Sequence, residues 1–411
     1  MRNSTEIPDG YKDSPLGIIP EDWEVMQLGD FGEVCMCKRI LKHQTSSSGD
    51  IPFYKIGTFG GVPDAFISKQ LYEEYRLNYS FPKVGDILIS AAGTIGRTVI
   101  YDGSPSYYQD SNIVWIDNDS SQLLNQYLYY YYATIKWITD TGTIPRVYNS
   151  ALKSIKIQVP PLDEQNRICS VLQLWDGAVE KQQELVKKLT LRKRGLMQQL
   201  LTGKKRLPGF SGKWEQVKLG DIAERVTQKN DENNQNVVTI SAQHGFISQT
   251  EFFNKSIASD TLDGYFLVNR DEFCYNKSYS NGYPMGVIKR LKSFDKAVVT
   301  TLYICFRLRN HNMADIDFFE QYCESGILNR ELVKIANEGG RAHGLLNVTP
   351  TDFFNMHMML PEIDEQRAIA QVLVNADNEI EQTKAKLASL QSQKRGLMQQ
   401  LLIGKKRINF E

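Results

Sequence analysis

The sequence has few cysteines, and none of the six forms a Cys-x-x-Cys pair. Thiols scattered in this way are typical of a reduced cytoplasmic protein and argue against a zinc site or a disulfide framework. No apolar run reaches the roughly 18 residues that a membrane-spanning helix needs. Residues 1–6 also lack the apolar core of a secretory signal. We therefore expect a cytoplasmic protein without a membrane segment.

Motifs of the common enzyme classes are missing as well. The sequence has no P-loop, no HExxH and no GxSxG, and it lacks the NPPY or DPPY motif and the glycine-rich cofactor loop of DNA amino-methyltransferases. Its five histidines show no metal-binding spacing, and no spacing among the carboxylates favours a nuclease site. These absences argue against a stand-alone enzyme and against a zinc site.

Net charge is absent too, because 48 Lys and Arg balance 48 Asp and Glu. A nucleic-acid-binding protein that depends on overall positive charge is thereby disfavoured. The charges are unevenly distributed, however. Residues 163–206 hold ten basic and five acidic side chains, residues 364–407 hold eight and five, and residues 1–162 hold 14 and 18. A DNA-binding function would therefore need basic groups gathered on one face, or a basic surface supplied by another subunit.

A long internal repeat dominates what is present. Residues 163–206 and 364–407, the two constant segments, align at an offset of 201 without a gap and are identical at 22 of 44 positions. The stretch KRGLMQQLL is the same in both. Upstream, Trp23-Glu24 and Leu28-Gly29-Asp30 recur as Trp214-Glu215 and Leu219-Gly220-Asp221. The chain therefore alternates two dissimilar globular blocks with two constant segments.

Apolar residues in each constant segment alternate at steps of four and three, the seam pattern of a coiled coil. Polar residues interrupt both seams at the same two places. Asp163 and Asp364 are predicted N-caps, and Gly203 and Gly404 are predicted to end helices of about 38 residues. The predicted seam comprises Ile168, Leu172, Trp175, Val179, Leu189 and Leu196, with Ile369, Leu373, Ile380, Leu387, Leu390 and Leu397.

One chain supplies both seams, so we expect the two helices to pair with each other, antiparallel and with pseudo-two-fold symmetry. The alternative is that they join two separate chains. Within the globular blocks, strands are predicted at 86–90, 97–100, 112–116, 236–240 and 298–304, and helices at 123–138 and 317–323. The tyrosines of 127–132 could stack on bases, but helix-core packing explains them better. The fold class is therefore α+β, with two mixed α/β domains joined by two long antiparallel coiled-coil helices.

Loops in both blocks are rich in side chains that hydrogen-bond base edges in a major groove. Taken singly, each of these residues is equally well explained by turn formation; their clustering favours DNA contact for the groups. The candidate DNA-contacting residues are Arg39, Lys42, Thr94, Arg97 and Arg146 in the first block and Gln243, His244, Asn276, Lys277, Arg341 and His343 in the second.

The repeated features resemble the specificity subunits of type I restriction-modification enzymes over nearly the whole chain. The resemblance rests on the Trp-Glu and Leu-Gly-Asp openings, the exits Pro161 to Ile168 and Pro361 to Ile369, and the KRGLMQQLLxGKKR tails. It implies target-recognition domains at 1–162 and 207–363, a first spacer helix at 163–206, and a second spacer helix with a tail at 364–411.

The resemblance further implies that each domain reads one half of a split, asymmetric DNA site. The helices would dock two methyltransferase subunits, and restriction subunits would join them. S-adenosylmethionine, ATP and Mg²⁺ would be used by those partners and not by this chain. The alternative from the residues alone is a coiled-coil adaptor that binds proteins and no DNA.

Overall fold

The computed structural model describes residues 7–137, 146–249, 262–280, 282–309, 311–338 and 346–408. The chain divides into two compact units. The amino-terminal unit comprises residues 1–182 and 386–411, and the central unit comprises residues 183–385. Each unit therefore contains one globular block together with part of each long helix. No described helix is long and apolar enough to cross a membrane.

The amino-terminal unit is built on an antiparallel four-stranded sheet of order β4-β10-β7-β8. A three-stranded sheet, β6-β5-β9, and a pair, β3-β11, lie beside it in the same unit. The elements are β1 (Tyr11–Lys12), β2 (Ile19–Pro20), β3 (Glu24–Gln27), β4 (Val34–Cys35), β5 (Ile51–Tyr54), β6 (Phe66–Ile67), α1 (Lys69–Asn78), β7 (Ile87–Ser90), β8 (Thr98–Ile100), β9 (Tyr107–Tyr108), β10 (Ile113–Ile116), α2 (Asn125–Tyr132), α3 (Asn149–Lys153), β11 (Lys156–Val159) and α4 (Leu162–Leu200).

The central unit has an antiparallel four-stranded sheet of order β13-β20-β17-β18 and four two-stranded pairs among its described residues. The pairs are β12-β23, β14-β15, β16-β19 and β21-β22. The elements are β12 (Glu215–Lys218), α5 (Leu219–Ile222), β13 (Ala223–Val226), β14 (Val238–Ser241), β15 (Gly245–Ser248), β16 (Phe266–Asn269), β17 (Phe273–Asn276), β18 (Val287–Arg290), β19 (Lys296–Val299), β20 (Ile304–Leu308), α6 (Ile316–Glu324), α7 (Asn329–Ile335), β21 (Asn337–Glu338), β22 (Leu346–Asn347), α8 (Pro350–Phe354), β23 (His357–Leu360) and α9 (Ile363–Leu402).

The two blocks share this plan although their interiors differ in sequence. In each unit the strand after the repeated tryptophan pairs with the strand just before a long helix, β3 with β11 and β12 with β23. In each unit the four-stranded sheet then has the same order of chain connections. The predicted fold class is confirmed, with two mixed α/β blocks and two long helices.

The Leu-Gly-Asp repeat forms the turn that leads from this strand pair into the block. The Asp30 carboxylate accepts a hydrogen bond from the Gln27 amide at 2.7 Å, and Asp221 accepts one from the Lys218 amide at 2.8 Å. A Cβ on the glycine of the second copy would lie 3.1 Å from the Phe354 carbonyl oxygen. Glycine is therefore favoured at this position, because a larger residue would be in tight contact with the end of α8.

The long helices run antiparallel, as predicted. In the amino-terminal unit, Ile168 and Leu172 near the start of α4 share a core with Leu401 near the end of α9. In the central unit, Leu200 near the end of α4 shares a core with Leu373 near the start of α9. Both pairings lie within one chain, so the prediction of intramolecular pairing is confirmed.

Burial along the predicted seam is graded. The buried members are Ile168, Leu172, Leu189, Ile369, Leu373 and Ile380, and the partly buried ones are Trp175, Val179, Leu196, Leu387, Leu390 and Leu397.

The starts of the two long helices differ slightly from the prediction. The helices begin at Leu162 and Ile363, one residue before the aspartates predicted as N-caps. Asp163 and Asp364 therefore act from the first turn, where their charge favours the helix dipole.

Gly203 and Gly404 follow the two helix ends with positive φ angles of 67° and 70°, as expected for glycines that terminate helices. The tyrosines of 127–132 lie in α2, where Tyr127 and Tyr132 are fully buried, so packing in the core is confirmed for these two. Their helix spans Asn125–Tyr132 rather than 123–138, and Ile138 lies outside the described residues.

The single strand predicted at 298–304 is wrong. Val298 and Val299 end β19, and Ile304 begins β20. Between them, the Thr300 hydroxyl accepts from the Leu302 amide at 3.3 Å, and the Thr300 carbonyl accepts from the Tyr303 amide. The β-branched run favours a strand by propensity, but this hydroxyl turn reverses the chain within it.

Candidate nucleic-acid interface

A buried carboxylate at the start of each long helix joins that helix to the tail of the other. In the amino-terminal unit, Glu164 accepts from Arg407 at 2.5 and 3.0 Å and from the Trp23 indole at 2.9 Å. In the central unit, Glu365 accepts two hydrogen bonds of 2.5 Å from Arg206. The terminal arginine of each KKR tail therefore closes the antiparallel helix pair through a bidentate contact.

The glutamine after each of these glutamates attaches its long helix to the adjacent block. The Gln165 amide accepts from the Leu124 backbone and donates to two carbonyls, one of them that of Pro160. Gln366 makes the same three bonds, including one to Pro361. The equivalent prolines are thus Pro160 and Pro361, not Pro161 as the sequence motif suggested.

The polar interruption nearer the end of each seam is a lysine that pairs with the opposite helix. Lys193 donates to Asp377 at 2.6 Å in the central unit, and Lys394 donates to Asp176 in the amino-terminal unit. Asp176 also accepts from the Tyr130 hydroxyl at 2.6 Å. These pairs fix the helix register and, through Tyr130, link the seam to the globular block.

The variable loops are presented at one edge of the four-stranded sheet in the amino-terminal unit. The carboxyl ends of β4 and β7 and the starts of β8 and β10 meet there, because neighbouring strands are antiparallel. Arg39 follows β4, while Thr94 and Arg97 lie in the β7–β8 turn. Arg146 forms a bridge to Ala92 at the same edge. The sheet thus brings four candidates from three distant segments of the chain to the same edge.

These side chains differ in how free they are to reach a ligand. Arg39 is 74% exposed and lies 3.9 Å from Asp110, and Lys42 and Thr94 are exposed. Arg97 donates to the Phe59 carbonyl at 2.7 Å, and Arg146 donates to the Asn112 amide oxygen at 2.9 Å. The last two arginines therefore also shape their own loops.

The equivalent edge of the central unit carries Asn276 and Lys277 at the end of β17. The Asn276 amide donates to the Ile240 carbonyl at 3.3 Å, which ties this edge to the β14–β15 hairpin. Gln243 and His244 are exposed in the turn of that hairpin. The remaining two candidates, Arg341 and His343, lie outside the described residues.

An exposed arginine that sequence reasoning missed adds charge to this edge. Partial burial, and then the positive charge of Arg225 in β13, lower the pKa of Lys277. Within the described part of the chain, neither cation forms an ion pair with a carboxylate. Two uncompensated positive charges favour an anion such as a DNA phosphate. An isolated arginine in a short strand gave no sequence signal for this role.

A family model for the type I restriction modification DNA specificity domain matches residues 20–190. S.HindORF215P of Haemophilus influenzae, named as a type I restriction enzyme specificity subunit, is 62% identical over 167 residues. That match covers 40% of this chain and 43% of the relative, less than half of either.

Two further similarities extend along nearly the whole chain. The protein of Methanocaldococcus jannaschii named as the MjaX specificity subunit is 28% identical over 97% of both chains. The crystal structure of the type I restriction-modification S subunit from M. genitalium matches with a TM-score of 0.53 at 15% identity, covering 95% of this chain and 97% of that one. At this identity the structural match supports the fold alone, but it agrees with the domain and full-length matches. Residues 20–190 thus match the specificity domain of type I restriction-modification enzymes, and the chain is similar to their specificity subunits over nearly its whole length.

Proposed function

We propose that this chain is the DNA sequence-specificity subunit of a type I restriction-modification complex, in which each globular block reads one half of an asymmetric, bipartite target. One observation carries the proposal. The two units hold dissimilar polar loops at the equivalent edge of one common sheet plan, and repeated contacts at Gln165 and Gln366 anchor both blocks to the helices. A reader of two different half-sites needs such a constant frame with changeable edges.

Recognition would combine phosphate contacts that position the blocks with base contacts that discriminate between sequences. The exposed cations Arg39, Lys42 and Arg225 suit the first role, and polar side chains such as Asn276 and Gln243 suit the second. Each good base contact contributes about 1–3 kcal/mol of discrimination, so several contacts per block are required. Because the chain has no net charge, a partner subunit would supply much of the positive surface around the DNA.

Catalysis would belong to the partners. We propose that the helices dock two methyltransferase subunits, that restriction subunits join this assembly, and that the complex acts on DNA in the cytoplasm. S-adenosylmethionine, ATP and Mg²⁺ would be used by those subunits. The role of this chain would be to place the methyltransferase on a chosen sequence and to hold the two half-sites at a fixed spacing.

Selection from random duplex DNA tests this proposal. The chain is purified together with a type I methyltransferase subunit that assembles with it, and bound DNA is sequenced after several rounds. We expect one split consensus whose two halves differ. Enrichment of an unsplit or palindromic site would contradict the two-reader assignment, and recovery of no consensus despite stable assembly would favour a protein-binding adaptor.

A further inference from the structure

One short helix in each block lies against the long helices, and the two short helices are equivalent. Gln165, at the start of α4, accepts from the Leu124 amide at 2.8 Å, and Leu124 is the residue that precedes α2. Gln366, at the start of α9, accepts from the Asp315 amide at 2.9 Å, and Asp315 precedes α6 in the same way. The helices α2 and α6 can therefore be compared position by position, starting from Leu124 and Asp315.

One tyrosine is the same in both short helices and makes the same contact. The Tyr131 hydroxyl accepts from the Gln158 amide at 3.1 Å, and the Tyr322 hydroxyl accepts from the Met359 amide at 3.4 Å. Gln158 and Met359 lie in β11 and β23, the strands that precede the long helices. These two contacts are internal to each block, and they fix the short helix to the strand pair in the same way in both.

The residue just before this tyrosine contacts the long helices, and it differs between the blocks. The Tyr130 hydroxyl donates to the Asp176 carboxylate at 2.6 Å, whereas the Gln321 side-chain amide donates to the Asp377 carboxylate at 2.7 Å. Each aspartate also binds the seam lysine of the opposite long helix. Both donor side chains are buried. The long helices thus offer the same acceptor in both units, and the two blocks meet it with different side chains.

Tyrosine and glutamine hold their donor atoms at different distances from the backbone, because an aromatic ring separates the tyrosine hydroxyl from Cβ. A tyrosine therefore allows a larger separation between the short helix and its aspartate than a glutamine does. Tyr130 also contacts the lysine, since the Lys394 ammonium lies 5.5 Å from the centroid of its ring. In Gln321, by contrast, Oε1 is buried without a hydrogen-bond partner. The side chain at this position thus contributes to the distance and angle at which each block is held on the long helices.

We propose that Tyr130 and Gln321 are positioning residues that set the pose of each block on the long helices and, through it, the number of unread base pairs accepted between the two half-sites. The inference rests on the proposed function and goes beyond it, because it assigns part of the spacing to two buried side chains of the blocks and not to the helices alone. DNA advances about 3.4 Å per base pair, so a displacement of one reading edge by about that distance changes the accepted gap by one base pair. Neither residue would touch DNA, because both are buried.

Selection from random duplex DNA by the complex described above tests the assignment when the gap length is read from each bound sequence. Tyr130→Phe removes the hydroxyl that donates to Asp176 and keeps the ring. We expect both half-site sequences to be recovered unchanged, while the preference for the wild-type gap over gaps one base pair longer or shorter falls about ten-fold, the factor for a lost hydrogen bond to a charged group. Gln321→Leu should weaken the preference in the same way. Tyr130→Gln copies the shorter donor of the central unit and should shift the preferred gap by one base pair.

Tyr131→Phe is the matched control, because it removes the neighbouring hydroxyl from the same helix, and the partner of that hydroxyl lies inside the block. It should leave the gap preference unchanged, and melting temperatures of all variants show that the chain is folded. If both Tyr130 variants keep the wild-type gap preference, or if Tyr131→Phe loses it equally, the assignment is wrong while the proposed function stands. If a Tyr130 variant selects a different half-site sequence at the wild-type gap, the residue affects reading and the assignment is again wrong. If the wild-type chain selects no split site, the proposed function itself is contradicted.

Discussion

Replacing Arg407 by alanine should loosen the start of α4 without unfolding the chain. Arg407 makes two hydrogen bonds to the buried Glu164 carboxylate and a third, at 2.7 Å, to Asp22. These contacts, that with Glu164 first, raise the pKa of Arg407 above its ordinary value. Removing one partner of a buried ion pair destabilises by about 3–5 kcal/mol. Because the Arg407 side chain is 35% exposed, solvent screens part of this, and we expect a loss of about 2 kcal/mol.

The equivalent substitution in the central unit, Arg206→Ala, should lower local stability more than Arg407→Ala does. In the amino-terminal unit Glu164 keeps the hydrogen bond from the Trp23 indole at 2.9 Å after Arg407 is removed. In the central unit the indole nitrogen of Trp214 is buried without a hydrogen-bond partner, and Arg206 provides both hydrogen bonds to Glu365. Arg206→Ala therefore removes both of these hydrogen bonds from the buried Glu365 carboxylate, and no indole replaces them.

Hydrogen exchange followed by mass spectrometry resolves the two effects, because each variant should act on a different helix start. Arg407→Ala should raise exchange at residues 168–174 by about 30-fold, the factor that corresponds to about 2 kcal/mol. Arg206→Ala should act at 369–375 instead, and more strongly. Lys405→Ala removes the same charge from an exposed neighbour and should change neither segment. Equal exchange rates at residues 168–174 in Arg407→Ala and Lys405→Ala would refute the stabilising role of the Arg407–Glu164 contact.

Three further substitutions test the seam and the candidate DNA contacts. Leu373→Asp buries a carboxylate on the helix seam, so it should cost about 4 kcal/mol or more and abolish assembly and methylation in size-exclusion and methyl-transfer assays. Leu174→Asp, at a position 75% exposed on α4, is its control, and equal assembly of both would contradict the seam. Arg146→Ala should weaken DNA binding by about five-fold or more at an unchanged melting temperature, measured by fluorescence anisotropy, and an unaltered affinity would remove it from the interface. DNA affinity should also fall as the pH rises through the lowered pKa of Lys277, since only the protonated amine attracts phosphate. In the Lys277→Met variant the affinity should no longer fall over this pH range. An unchanged fall in the variant would exclude Lys277 as the titrating group.

The helical frame could be predicted because its signals are local and occur twice. The seam pattern, the terminal glycines and the polar seam positions are all legible in residues 163–206 and 364–407. The partners of the seam lysines were not predicted, since Asp176 and Asp377 lie next to the seam and not on it. Their pairing depends on which way the second helix runs and on its exact register.

The candidate interface was harder to predict because its residues come from distant parts of the chain. Arg39, Arg97 and Arg146 reach one sheet edge only through the strand order β4-β10-β7-β8, which propensities do not encode. The strand predicted at 298–304 failed for a different, local reason, because a turn at Thr300 overrides the β-branched residues there. Arg225 was not predicted because its contribution to the edge depends on its proximity to Lys277, a residue that is distant from it in sequence.

The central claim is that each globular block reads its own half of the target, and exchanging one block tests it most directly. Replacing residues 31–154 with the corresponding segment of a similar specificity subunit changes the sheet edge but keeps the Leu-Gly-Asp turn and the β3-β11 pair. Sequencing of methylated sites should then show one altered half-site, with the other half and the spacing preserved. A change in both halves, or in neither, would contradict the account.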